Sequence, residues 1–425
     1  MLDYISNILW LLASIILIIS GLYYTFKLKF PQFHFRKMYN SFNESDSKKK
    51  GISSFSSLSL ALGARIGVGS LSGIAIGIIG GGVGSIFWLW LSTLICLPNA
   101  FVESKLAVKY HKSEGSLYKG GPSYYMDKGL NNKKLANIYS IILSFCYLGG
   151  LLAIQCNTIT SSIYDTFKLN KLVVGIIISI LAFIIIFKGL KRISSFSNKF
   201  VPIMGIIYMI ITLYVILSNF NTLPIVFSSI INDAFNIKSI FSGLLGSSII
   251  VGITRGVVST ESGIGTGAIA SSTSNTNNPE DIGYMQMFGV YFTSFFVCTS
   301  TALLILIGIN KGINLNDFIG KNGIELVGAC LSNFLGSFGN IVLLFSVFSF
   351  AFSTIISGYY YGESSFKYLF NIKENKTIYL KIFVFFVLII GSIMNSTILW
   401  NIVDIGIALL AIINAYALIK LRNKL

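Results

Sequence analysis

Eleven stretches of apolar sequence, each about as long as a bilayer-spanning helix, constrain this chain more than any other feature. They lie at about 7–26, 56–80, 84–107, 137–164, 171–188, 200–218, 240–270, 284–309, 338–366, 377–397 and 399–419. A spanning helix needs about 20 such residues. In lipid every backbone amide must find its partner within the protein, so these stretches read as helices. The expected fold class is an all-α polytopic membrane protein with about eleven transmembrane helices. Composition agrees, because only 11% of the residues are charged where soluble domains carry about a quarter. The spans and their loops leave no room for a large extramembrane domain. The N-terminus opens Met1-Leu2-Asp3 without a basic region, so the run Ile8 to Leu22 reads as a retained helix, not a signal peptide.

The formal net charge is +16. In a soluble chain that balance would point to nucleic acid. In a membrane chain the first question is whether the basic residues sort to one side. With the N-terminus outside, 25 of the 32 Lys and Arg fall in cytoplasmic segments and only Lys168, Lys171, Lys238, Lys311 and Lys321 fall outside. The remaining two, Arg65 and Arg255, lie within apolar segments. The expected topology is therefore N-out and C-in, in the cell membrane. One internal loop, Ser271 to Gly283, breaks the pattern by containing no Lys or Arg.

The same census excludes most soluble chemistry. Cys96, Cys146, Cys156, Cys298 and Cys330 are scattered without a C-x-x-C, and His34 and His111 are the only histidines. Neither a disulfide framework, a zinc site nor a Ser-His-Asp arrangement has a basis. No enzyme and no cofactor is expected.

Two of the eleven segments make poor simple helices. The run Leu60 to Gly73 carries Gly63, Gly67, Gly69 and Gly73 with Arg65, and the run Gly252 to Gly267 carries five glycines with Arg255 and Glu261. Glycine weakens helix interiors and a buried arginine is costly. Offset by 190, windows 65–77 and 255–267 share six of thirteen residues, including Arg65/Arg255 and Gly73/Gly263. Five spans separate the two segments, so they run in opposite directions through the bilayer. That is the requirement of a 5+5 inverted repeat preceded by one extra helix. In such transporters, paired discontinuous helices bind substrate and ion on freed backbone groups at the midplane. Glycines serving only close helix packing are the alternative, but they do not account for an Arg and a Glu at membrane depth.

An ordered set of motifs carries a resemblance: Arg65-Ile-Gly-Val-Gly, Phe87-Trp-Leu-Trp90, Glu103 with Leu106-Ala-Val-Lys-Tyr110, Gly120-Gly-Pro-Ser-Tyr-Tyr125, Gln155 with Asn157, Gly189-Leu-Lys-Arg-Ile193, Arg255-Gly with Ser259 and Glu261, Val297-Cys-Thr with Thr301-Ala-Leu, Phe350-Ala-Phe-Ser-Thr354, Tyr360-Tyr-Gly-Glu363 and Trp400 with Asp404. On these the chain resembles the alanine or glycine:cation symporter family, also called the sodium:alanine symporter family, which is similar in fold to the leucine transporter. The resemblance implies uptake of a small neutral amino acid with sodium, less often with protons. It also implies a substrate site on Gly67, Val68, Gly69 and Ser70, opposite Ser259, Thr260 and Gly263, with Gln155 at one side and Tyr359 walling the side-chain end. For sodium it implies carbonyls near Gly63 and Ile66 with the hydroxyls of Ser353 and Thr354. On residue chemistry alone, those two hydroxyls could equally back-bond to their own helix. Departures from the family's pattern at Ser70, Thr260, Gly267-Ala268 and Tyr359 bear on which amino acid is carried.

Arg65, Arg255, Glu261 and Asp404 are the intramembrane charges, and such groups are by default paired and functional. Glu261 is expected to neutralise Arg65 or Arg255, either for transport or merely to hold two helices together. Asp404 is expected to gate the inner vestibule or to cap a helix bend. Glu103 and Glu363 are expected in solvated pairs with Lys105 and Lys367. The expected domains are residues 1–55, an extra helix and basic loop; 56–220 and 221–421, the two five-helix repeats; and 422–425, a cytoplasmic tail. The function expected is sodium-coupled symport by alternating access. A proton-coupled transporter, an ion channel and a transporter-like nutrient sensor are the competing readings. The partners are the amino acid, sodium and the bilayer, with neither nucleic acid nor an obligate protein partner.

Overall fold

A computed structural model describes residues 2–42, 50–236, 248–276, 278–372 and 376–425. Residues 240–247 of one apolar stretch, with Lys48, Lys49, Lys238 and Lys373 of the charge census and Asn277 of the loop without Lys or Arg, lie outside the described residues. The chain is almost wholly helical. Leu2–Lys27 forms α1. Ser54–Arg65 (α2) and Ser72–Gly81 (α3) follow as two halves separated by a break. Next come Ser85–Lys109 (α4), Lys133–Phe167 (α5), Lys171–Ile186 (α6), Leu190–Ser218 (α7) and Leu223–Ala234 (α8). Ser248–Thr260 (α9) and Thr266–Ser271 (α10) are a second broken pair. Pro279–Asn310 (α11), Ile324–Leu335 (α12), Phe338–Phe370 (α13), Ile378–Gly391 (α14) and Ser396–Lys420 (α15) complete the chain. A small hairpin pairs Lys112–Glu114 (β1) with Leu117–Lys119 (β2).

Among the described residues, seven helices are long and apolar enough to cross a membrane, in α1, α4, α5, α7, α11, α13 and α15. The chain is a multi-pass membrane protein. The helices start where side chains can cap them. Ser53 Oγ accepts from the Ser56 N–H at 3.1 Å, Asn132 from Leu135 at 3.0 Å, Asn170 from Leu172 at 2.9 Å and Asn278 from Glu280 at 3.1 Å.

Burial sorts the helices into a centre and a lipid-facing shell. Along α6, Ile177, Ile180 and Ile184 are exposed while Val174, Ile178 and Ala182 are buried, the face-splitting expected of a helix with lipid on one side. Helix α4 is buried over most of its length and packs on α9, α11 and α1. The approach of α9 to α4 is nearly backbone to backbone. A Cβ on Gly252 would stand 2.3 Å from the Ser85 carbonyl oxygen, and one on Gly256 would stand 2.5 Å from Ser92 Oγ. These two glycines therefore serve close packing, as small-xxx-small spacing does. The glycines of the breaks do something else.

Helices α8 and α12 are not among the eleven apolar stretches. Each has 12 residues, about 18 Å of helix at 1.5 Å per residue, too short to span and so invisible to a span-length criterion. The loop without Lys or Arg also finds its place. Ile52 exchanges backbone hydrogen bonds with Thr273 and Asn275 at 2.9 Å each, and Lys105 on α4 reaches Glu280 at 2.6 Å. A lysine from a neighbouring helix thus supplies the positive charge that the loop lacks.

Candidate functional site

The first break begins where Ile66 leaves helical geometry, at φ −82° and ψ 65°. Gly67 is extended, and Val68–Ser70 close one tight turn before α3 resumes. The Val68 N–H donates to Gln155 Oε1 at 3.4 Å, so Gln155 of α5 does meet the unwound segment. In front of Gly69 a Cβ would meet nothing within 4 Å. The backbone is bare toward open space there. Ser70 is buried, and its hydroxyl donates to the Arg65 carbonyl at 3.5 Å.

Helix α13 closes the other side of this turn. Thr354 Oγ1 lies 3.1 Å from the Gly63 carbonyl and 3.4 Å from that of Ala64, while also donating to its own Phe350 carbonyl at 3.0 Å. A Cβ on Gly67 would stand 2.6 Å from Thr354 Oγ1. Gly63 and Thr354, two of the ion ligands that the resemblance implies, are therefore in contact, with Ile66 buried beside them. Ser353 instead points its hydroxyl at Phe350 O, 2.9 Å away, which is the back-bonding alternative. Hydroxyl and carbonyl oxygens are the hard donors an alkali cation takes. Tyr359 is fully buried one turn further along α13.

The second break is built on positive φ. Glu261 takes φ +54°, Gly263 +84° and Gly265 +96°. Glycine is required at the last two by φ and by space: a Cβ on Gly265 would lie 2.6 Å from both Pro122 Cγ and Tyr139 Oη. Glu261 holds the same region without that freedom, an uncommon state for a non-glycine residue. The carbonyls freed by the break are claimed by distant side chains. Tyr139 donates to Ile264 O at 2.8 Å and Asn414 Nδ2 to Gly263 O at 2.9 Å.

Several expectations need correction. Gly263 does not face the first break; its Cα side meets Leu17 of α1 and Asn99 of α4, because the left-handed turn swings it toward those helices. Ser259 and Thr260 are buried near the break, but their hydroxyls return to Arg255 O and Gly256 O, each at 2.7 Å. Ser259 and Ser70 nevertheless both lie near the thiol of Cys298 on α11, while their hydroxyls donate to backbone carbonyls. Cys298 belongs to the Val297-Cys-Thr motif, to which the sequence assigned no role in the site.

Glu261 makes no direct ion pair among the described residues; its Oε1 accepts from Tyr147 Oη at 2.7 Å. The turn at φ +54° carries its carboxylate toward α5, and Arg65 acts on it only through space. Arg65 donates to Gln286 O at 3.4 Å, leaving Nε and Nη2 buried without partners. Glu103 is not a solvated residue. It is fully buried, accepts from Asn414 Nδ2 at 3.0 Å, and has lost Lys105 to Glu280. Glu363 and Lys367 do pair, at 3.0 Å, but almost out of solvent.

Arg255 and Asp404 are both half-buried and act on each other electrostatically. The Arg255 stem packs over Gly77 of α3, where a Cβ would be 3.2 Å from Cγ. Asp404 sits just over two turns into α15, in the half away from the basic Lys420–Lys424 end. A cavity of about 330 Å³ opens nearby, with Ser72, Asn157, Asp165, Glu325 and Trp400 in its wall. Asn157 itself holds the Gly391 and Met394 carbonyls, at 2.9 and 2.8 Å.

Similarity to known proteins follows the whole length. The sequence model of the sodium:alanine symporter family matches residues 1–425. The amino-acid carrier protein AlsT of Bacillus subtilis (strain 168) is 34% identical over 423 residues, covering 98% of this chain and 88% of that protein. The sodium/alanine symporter AgcS of Methanococcus maripaludis is 30% identical over 432 residues, covering 99% and 94%. Among solved structures, MhsT in complex with L-phenylalanine aligns with a TM-score of 0.62 at 12% identity, over 87% of this chain and 89% of that one. At that identity the likeness speaks for the fold alone, and the fold is leucine-transporter-like.

Proposed function

Because this chain belongs to the sodium:alanine symporter family, a family of transporters and not of enzymes, we propose that it imports a small neutral amino acid, such as alanine or glycine, together with sodium. In this reading the chain crosses the membrane eleven times, with α2–α3 and α9–α10 each counted as one broken crossing. Residues 1–55 supply an extra helix and a basic loop. Residues 56–220 and 221–421 form two inverted five-helix halves, and 422–425 a tail. The N-terminus lies outside and the C-terminus in the cytoplasm, the orientation that puts 25 of 32 basic residues inside.

The observation that carries this reading is the meeting of Thr354 with the Gly63 and Ala64 carbonyls, one turn before the bare backbone at Gly69. Sodium bound by these oxygens orders the same unwound strand on which the amino acid docks, with Gln155 and Ser70 beside it. Ion and substrate thus share one flexible element, and coupling follows from ordering it once. Arg255 and Asp404 then lie on the outer side, above the substrate, in the path by which it enters. Alternating access is a tilt of the two broken crossings against the remaining helices.

Purified protein in proteoliposomes tests the reading. Alanine uptake driven by an inward sodium gradient is expected. Equal uptake with choline in place of sodium overturns the sodium assignment, and single-channel currents overturn symport altogether.

A further inference from the structure

Beside the breaks lies a buried polar cluster that the transport reading does not use. Glu103 on α4 and Glu261 in the second break are both buried, and each has one oxygen satisfied: Glu103 Oε2 by Asn414 at 3.0 Å and Glu261 Oε1 by Tyr147 at 2.7 Å. Their other oxygens, Oε1 and Oε2, have no partner in hydrogen-bonding geometry, and neither do Nε and Nη2 of Arg65; the Gly265 N–H and the Thr266 hydroxyl are further neutral donors near Glu103 and Glu261, respectively. Arg65 acts on both carboxylates electrostatically. A Cβ on Gly267 would stand 2.4 Å from Arg65 Nη2 and 3.7 Å from Glu103 Oε1, so the bare glycine backbone separates an unpartnered donor from an unpartnered acceptor. The other titratable groups turned toward the pair are Tyr125, Tyr139, Tyr147 and Tyr361. None brings a second positive charge.

Two buried carboxylates near one guanidinium leave one negative charge uncompensated inside the protein. An uncompensated buried charge is strongly unfavourable, and such groups take up a proton instead. A proton also supplies the missing donor for an orphaned carboxylate oxygen, which a second metal cation beside Arg65 would not. We propose that Glu103 and Glu261 together hold one exchangeable proton, and that its occupancy sets the rate of transport. Binding converts one carboxylate, by O–H bond formation with a proton from water, to a neutral acid; the pair then carries a single negative charge matched by Arg65. Glu261 belongs to the break, while Asn414 links Glu103 to the Gly263 carbonyl of the same break. Movement of the second broken crossing therefore changes the spacing of the two acids, and with it their hold on the proton.

This inference rests on the transport reading, and its test separates the two. Sodium-driven alanine uptake is measured in proteoliposomes with pH equal on both sides. Wild-type uptake is expected to fall several-fold as pH rises, because losing the proton restores the uncompensated charge. Glu103→Gln is expected to flatten the profile, since Glu261 and Arg65 then balance at any pH. Infrared spectroscopy of the wild type provides a reading that needs no variant: the carbonyl stretch of a buried protonated carboxylic acid, disappearing over the same pH range. Absence of that band, or matching pH profiles for wild type and Glu103→Gln, overturns the proton site while leaving symport intact. Sodium-independent uptake with the band present overturns sodium coupling and leaves the proton site standing. Loss of one bound sodium per protein in Glu103→Gln would mean that the pair holds a metal ion, and overturns the inference.

Discussion

Thr354 concentrates the argument for ion binding in a single hydroxyl that touches two backbone carbonyls of a neighbouring broken helix. Thr354→Val keeps the shape and removes that oxygen. The sodium concentration for half-maximal uptake is expected to rise roughly tenfold, the equivalent of about 1.4 kcal/mol, while Ser353→Ala, whose hydroxyl returns to its own helix, is expected to change it little. Sodium-dependence curves in proteoliposomes check both. Asn414 is the residue whose role was least legible. Its amide holds Glu103 and Gly263, partners 311 and 151 positions away. Asn414→Leu buries two acceptors unpaired and is expected to destabilise the protein by about 2–4 kcal/mol, read as a lower unfolding midpoint in detergent. Glu103 was misread for the same reason. Its sequence neighbour Lys105 offered a local partner, and only folding reveals that Glu280 takes the lysine.

Helices and their breaks were far easier to read than side-chain partners. A bilayer demands long apolar runs, so the lipid-crossing helices announce themselves, and the two runs carrying both glycines and charge announce their breaks. The role of each glycine was not announced. Gly252 and Gly256 seat α9 on α4, whereas Gly263 and Gly265 turn the chain. Substitution should separate these roles. Gly252→Ala forces a methyl against the Ser85 carbonyl and is expected to lower the unfolding midpoint. Gly69→Ala, with open space before it, is expected to leave stability unchanged and to lower amino-acid affinity several-fold, which substrate titration of uptake checks. The short helices α8 and α12 escaped notice because amphipathic segments of 12 residues satisfy no spanning criterion.

At the scale of the whole molecule, orientation is the testable quantity. All five native cysteines are buried, so an impermeant thiol reagent has little background. Tyr4→Cys at the exposed start of α1 is expected to label in intact cells, and Asn423→Cys only after the membrane is opened. The reverse pattern would invert the topology. Helix α1 also has a mechanical consequence. Gly21 of α1 lies against the Ile95 carbonyl of α4, Tyr24 donates to Leu418 of α15, and Leu17 occupies the space that a side chain on Gly263 would need. The helix outside the two proposed halves is thus clamped to two others while its leucine rests on the moving break. In the proposed cycle that break moves against α1, so the contact at Leu17 has to be released and remade in every turnover.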